Sequence, residues 1–573
     1  MKKIILCFLL LSTLASYSQE TDTTTVADTT TINDTNKYGK IYGGFESNSQ
    51  WYLNDKGMGT IQPEDPIRSN NYLFLNYNYK NWTAGIQVES YEANALLNFN
   101  PKLEGTNVAT YFVNYTAKMF DVTAGYFYEQ FGSGLLLRSW EDRALGLNNA
   151  IRGGRINFRP TDYMTFTALY GQQRSGFDVS EGKIYGFNAE IGLDSLLKFE
   201  TSSLSVGFSY VGRDEAIAIV NPNFSELTNS FAGRVNFSHN SFYISSEYNF
   251  KSEDAILDVQ KRISNAFVKS GSAVLLNMGY SAQGLGIDAT FRRMENMGFF
   301  TERVPEFYGP ENTSLNYNDK MMNYTPALTK QHHSNLANIY VYQAQHRVDF
   351  SDPSVMKAGE IGGQIDVFYN LKKGTSLGGE FGTKVALNAS NWYNLSGDYT
   401  YFPADYKTDF IGTGEKYFSD YNIEITKKVS ERLHTGFNYV NQYYNQKLLG
   451  GGSLVKTNIV VAEATYSFTN TRSVRVLGEH LWADADKKNW AGATVEYNIN
   501  ARFSCYIWDI YNYGNDNPER RNHYYNVGGA YRKGATRIAL GYGRQRGGLV
   551  CVGGVCRFVP ESTGLSLSLN TSF

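Results

Sequence analysis

Proline is scarce in this chain, 12 in 573 residues, and cysteine is scarcer, with 4. Few prolines leave long stretches able to pair as strands and exclude a proline-rich spacer architecture. So few cysteines exclude a small disulfide scaffold. Beyond the first residues no apolar run is long enough for a transmembrane helix. The formal net charge is −2, so no basic excess points to a nucleic-acid partner. Gly450-Gly451-Gly452 joins two predicted strands and opens no helix, which excludes a phosphate-cradling loop there. No spacing of His, Cys, Asp and Glu gives a metal set, and no cofactor is expected. The Asp- and Asn-rich stretches Asn316 to Lys320, Asp484 to Lys488 and Asn512 to Asn517 miss the calcium-loop spacing and read as solvated turns.

Aromatic residues, by contrast, are plentiful: 43 Tyr and 35 Phe, beside 54 Gly. The ends set the context. Lys2 and Lys3 precede a short apolar stretch, Ile4 to Ala15, and small residues follow at Ser16 to Ser18. That order predicts a secretory signal peptide over 1–18. Cys7 lies inside its apolar core and no cysteine follows the cleavage position, so no lipid anchor is expected. Residues 19–37 are mostly Thr and Asp and read as a flexible leader. The remainder, 38–573, reads as one domain. At the far end Leu565, Leu567, Leu569, Thr571 and Phe573 alternate with Ser566, Ser568, Asn570 and Ser572, which is a strand with one apolar face.

Between these ends such alternation recurs. Trp82, Ala84, Ile86 and Val88 oppose Thr83, Gln87 and Glu89; Val460, Ala462, Ala464 and Tyr466 oppose Glu463 and Thr465. Each run is long enough to cross a bilayer at a tilt. Roughly 24 such runs can be marked, within about 22 to 26, and an even number suits a bacterial single-chain barrel. The links alternate long and short. Lys80-Asn81, Lys118 to Asp121, Pro160 to Asp162, Ser238 to Ser241, Lys372 to Ser376 and Lys533 to Ala535 all fall at short positions, and Leu193 to Ser203 is the main exception. Short inner turns and long outer loops mark an outer-membrane barrel, whereas a soluble sandwich has no reason to sort links by parity. The predicted fold is therefore all-β, a single antiparallel transmembrane barrel. Its surroundings would be outer-membrane lipid, and its C-terminal Leu567, Leu569 and Phe573 resemble the signal read by barrel-assembly machinery.

By parity Phe131 to Ile151 is the third outer loop. Leu135, Leu136 and Leu137 are too apolar for an exposed loop. Arg138, Trp140, Glu141, Asp142 and Arg143 follow, too charged for lipid. The barrel interior suits both, with the leucines on rings such as Phe127, so a constriction is expected there; the alternative is a lid folded over the rim or a surface for a partner barrel. The inward strand faces are acidic at Glu46, Glu89, Glu129, Glu190, Glu247, Glu463 and Glu496, with Arg155 and Arg159 among them. Buried charge needs partners, so Arg138 and Arg143 should bridge to some of these acids. GYFYEQFGSGLLLRSWEDRALGLNNAIRGGRI, with GGVCRFVP near the end, resembles a family of Bacteroidota outer-membrane barrels of unassigned function. That resemblance implies a compartment and a fold and brings no catalytic residues.

In LVCVGGVCRFV, Gly553-Gly554 suits a two-residue hairpin turn. Cys551 and Cys556 would then face each other across the strands, at a spacing that fits a disulfide. Cys505 reads as a packed residue. His332-His333-Ser334-Asn335 has the composition of a hydrolase triad, but adjacency is not geometry, and adjacent loop histidines are usually solvated. The seventh outer loop, roughly Glu295 to Glu360, offers Asn338 to Phe350 as an exposed hairpin for another outer-membrane protein. Two functions remain ahead of a hydrolase. One is a channel or gated transporter for polar solutes, with acidic walls favouring cations. The other is a plugged accessory barrel of an export or surface-assembly complex.

Overall fold

A computed structural model describes residues 38–97, 99–100, 102–216, 225–257, 263–303 and 320–573. The predicted signal peptide, leader and the residues 316–319 lie outside the described residues.

One 24-stranded antiparallel sheet closes on itself. Each strand pairs with its neighbours in sequence, and the first, Lys40–Leu53, pairs with the last, Ser562–Ser572. Closure leaves no strand edge with unpaired N–H and C=O groups, a requirement in hydrocarbon. The period of two then sorts the side chains. One transverse row runs Ile156, Ala168, Phe187, Tyr210, Phe231 across five strands and points outward. Its neighbours Arg155, Leu169, Gly186, Ser209 and Ala232 point inward. The C-terminal strand follows the same rule: Leu565, Leu567 and Leu569 face out, opposite Trp51, Ser49 and Ser47. An apolar exterior left uncovered by protein is what lipid covers.

Links are segregated as the alternation predicts. One end carries tight turns at Lys80-Asn81 and Asn240-Ser241, where Lys80 and Asn240 take positive φ. The exception near Leu193 holds a short helix, Leu193–Leu197, which accounts for its length. At the other end lie the links 54–66, 128–150, 296–358 and 546–561. That end also has tight links, Gly176-Phe177 and Tyr401 to Ala404, and the tight-turn end has a long one, Lys372 to Gly382, where a short link over Lys372 to Ser376 was expected, so parity is a strong tendency and not a rule. Two hairpins rise furthest there, Phe242–Leu257 with Ile263–Ala282 and Thr383–Thr400 with Asp405–Lys428. They meet through Ile256, Phe267, Phe350, Leu395 and Tyr406. Cys505 differs from expectation. It sits on the outward face opposite Tyr497 and Gly529, exposed to the lipid side and not packed in a core.

Candidate functional site

The wall strand Phe120–Phe127 is short, and the chain leaves it at Tyr128 to return at Ile151. Between these points Gly132, Gly134 and Gly146 take positive φ, which lets the backbone fold into two small ladders. Gln130–Phe131 pairs with Leu137–Arg138, and Glu141–Asp142 pairs with Leu147–Asn148. Phe131, Leu136 and Leu137 are buried against Phe127, Ile151, Leu169, Ile184, Val211 and Ala232, inward residues of successive strands. Leu135 meets Ala273, Met294 and Ala344 instead. Each buried leucine contributes about 1.5–3 kcal/mol, so the apolar half of the segment is held by an apolar patch on the inner wall.

The charged half meets the inward acids. Arg143 bridges Glu46 at 2.9 Å and Glu141 at 3.1 Å. Gln87 donates to both Glu141 and Glu89, at 2.9 and 3.0 Å. Arg174 grips Glu89 in two parallel bonds of 2.9 and 2.6 Å, and the Tyr91 hydroxyl donates to the same carboxylate at 2.8 Å. Arg155 spans Asp121 and Glu129, Arg234 holds Glu190, and Arg475 spans Glu463 and Glu496. Glu247 accepts from the Ser133 backbone N–H and the Asn249 amide. Asp142 accepts from the Leu145 N–H and shapes its own turn.

This arrangement corrects three expectations. The acids are matched by guanidinium or N–H groups and do not form a bare anionic lining. Arg138 lays its guanidinium over the rings of Tyr324 and Trp140, at 3.9 and 4.7 Å, and is not bridged to an acid among the described residues. Arg159 is exposed beside a register irregularity after Phe158 and joins none of these pairs.

The larger departure is the seventh loop. Asn338 to Phe350 is no exposed hairpin: Tyr340, Tyr342, Ala344 and Phe350 are buried. Tyr342 stacks between Trp392 and Phe418, centroids 5.7 and 5.4 Å away. Glu360 gathers four bonds: two from Arg292, one from the Tyr342 hydroxyl at 2.5 Å and one from the Gln345 N–H at 2.6 Å. His332 is not solvated; its Nε2 lies 2.9 Å from Asp420, while the Ser334 hydroxyl donates to Glu479. Serine and histidine thus turn to different acids, and the segment forms no triad. Lys330 bridges Glu424 at 2.8 Å, four residues short of the end of that strand at Lys428. Burial first, then Arg347 and Arg292, hold His346 well below the usual histidine range, so it is neutral near pH 7. The alternation Tyr340, Tyr342, Ala344, His346 was visible in the sequence. Nothing there told that its partners would be the inward rings of Trp392 and Phe418.

The third and seventh loops also meet each other. Asn323 donates to the Leu135 and Met297 carbonyls, Arg138 N–H to Met322, and Tyr324 N–H to Gly134. The last outer link joins them. Cys551 and Cys556 face each other across a hairpin and form a disulfide, with Gly553 and Gly554 both at positive φ in the turn. Tyr324 donates to the Gly553 carbonyl and Ala327 N–H to Gly554. A Cβ on Gly554 would come within 2.6 Å of the Ala327 carbonyl. We expect Gly554→Val to undock this hairpin and raise limited proteolysis within 546–561 several-fold while the barrel stays folded. Unchanged cleavage would show that the hairpin is held by other contacts.

Toward the tight-turn end the inward faces are open. Tyr243 and Phe368 point inward yet are 40% and 49% exposed. The Glu463 and Glu496 side chains are similarly accessible. The loop-to-wall contacts described above thus gather toward the long-loop end, and inward side chains near the tight turns are more accessible.

Residues 1–573 match the model of a family described as "Family of unknown function (DUF6029)". The chain belongs to this family. No curated protein matches the chain. Among solved structures it is similar to the siderophore receptor PirA from Pseudomonas aeruginosa, at 8% identity and TM-score 0.39, covering 93% of this chain and 80% of that one. It is similar to the P pilus usher (PapC) translocation pore at 9% identity and TM-score 0.40, covering 93% and 99%. The outer membrane transporter YddB from Escherichia coli matches at 7% identity and TM-score 0.38, covering 93% and 81%.

Proposed function

We propose that this DUF6029 protein is an outer-membrane transporter of polar solutes whose lumen is closed at rest by its own third and seventh outer loops. The observation that carries the reading is the set of loop-to-wall ties on several sides of the interior. Arg143 reaches Glu46, Ser133 reaches Glu247, His332 reaches Asp420 and Lys330 reaches Glu424. Wide barrels enclose more space than wall side chains fill, and such lumens are commonly plugged. Passage would require one loop to leave its ties, and the polar, paired lining left behind would suit polar solutes.

A second reading is an accessory barrel, permanently filled, that serves a larger surface-assembly complex. It is favoured by the buried Glu360 and Arg292 ties, which are costly to break. Planar-bilayer recording of the mature protein tests the proposal. The expected result is silence at low voltage, with brief openings under high voltage or mild urea. Steady ohmic conductance at rest would overturn the closed state. Silence under every condition, together with a stable co-purifying partner, would favour the accessory reading.

A further inference from the structure

The outward face of Asp405–Lys428 carries lysines near both ends of its bilayer-crossing part and apolar residues between. Tyr421, Ile423 and Ile425 lie between Lys416 and Lys427. At about 3.3 Å per residue and a tilt near 40°, that separation spans roughly 28 Å, the thickness of an apolar bilayer core. Lys416 therefore stands at headgroup level on the long-loop side.

Its setting is unusual for a snorkelling lysine. The ammonium lies 5.9 Å from the ring centres of Tyr393 and Tyr421 and 5.0 Å from that of Tyr443. Lys456 is the cross-strand neighbour of Tyr443 and is exposed on the same outward row. Among the described residues, neither ammonium has an ion-pair partner. The nearby acids are engaged: Glu415 accepts from the Asn445 amide at 3.2 Å, and Asp484 from the Lys456 backbone N–H at 2.8 Å. Tyr421 donates to Asn391.

We infer that Lys416 and Lys456, with Tyr393 and Tyr443 between and beside them, form a binding site for the phosphate of an outer-leaflet glycolipid. Two cations with no ion-pair partner among the described residues, at a lipid boundary, call for an anion from outside. A phosphate monoester at that level has the charge and the acceptor oxygens for two ammonium groups. The rings leave flat apolar surface beneath it for the sugar and the first methylenes of an acyl chain. The outward side of the barrel thus has a headgroup site independent of whatever the lumen does.

Native mass spectrometry of the full-length mature protein in detergent, titrated with bisphosphorylated lipid A, tests this. Its arms are the same lipid after enzymatic dephosphorylation and inorganic phosphate alone. We expect retained lipid A adducts on the wild type and at least about tenfold weaker retention for the K416Q/K456Q double variant, as loss of charge-assisted bonds implies. Lys427→Gln, at the opposite interface, should leave retention unchanged. Equal retention of the dephosphorylated lipid, or no effect of the double variant, would overturn the site. Displacement of lipid A by an equal concentration of inorganic phosphate would overturn the lipid as its ligand. Heat-modifiable gel migration of each variant confirms that the barrel has folded.

Discussion

Replacing Leu135 to Asn148 by a short Gly-Ser linker is expected to turn a silent barrel into a conducting one. The replaced stretch removes Leu136 and Leu137 from the apolar patch and Arg143 from Glu46. It leaves the wall strands untouched, because Phe120–Phe127 and Ile151–Thr161 pair directly with each other along their length. The barrel should therefore still fold, and discrete current steps should replace a flat baseline. Arg174 and Glu89 stay bonded to each other on the wall, so the new passage is lined by paired charges and should select weakly between cations and anions. A folded but silent variant would mean that the seventh loop alone closes the lumen. Strong cation preference would contradict the pairing described for the inward acids.

The second large effect concerns Glu360. Its carboxylate is fully buried and satisfied by Arg292, Tyr342 and Gln345, and Arg292 is itself 1% exposed. Glu360→Ala leaves a buried guanidinium without its anion, a change that costs about 3–5 kcal/mol. It also removes the acceptor that holds Tyr342 between Trp392 and Phe418. We expect the urea midpoint of unfolding to fall and the seventh loop to become protease-sensitive well below that midpoint. Adding Arg292→Met should recover much of the loss, because the stranded charge is then gone. If Glu360→Ala and the double variant were equally destabilised, the cost would lie in lost packing of Tyr342 and not in the unpaired guanidinium.

Several readings fail for one reason, that the partner of a loop residue is set by the wall it reaches. Arg138 and Arg143 are five residues apart in the same charged run. Arg143 meets Glu46 and Arg138 meets aromatic rings, and nothing local distinguishes them. His332 and His333 are adjacent, yet one is buried on Asp420 and the other exposed. The acids alternate inward as read, but the cations that match Glu89 and Glu190 are Arg174 and Arg234, far along the chain.

By itself the sequence determined the closed all-β barrel, its strand number to within about 22 to 26, the two faces of the runs it marked and the hairpin that pairs Cys551 with Cys556. These follow from period two, from link length and from turn chemistry, all local properties of the chain. Only the tertiary structure decided which wall residues the long loops meet. The 296–358 link has no repeat period, and the burial of its described residues, 296–303 and 320–358, depends on apolar and ionic partners contributed by strands distant in sequence. A wide barrel brings those partners within reach of a long loop, and no local pattern encodes which of them it will find.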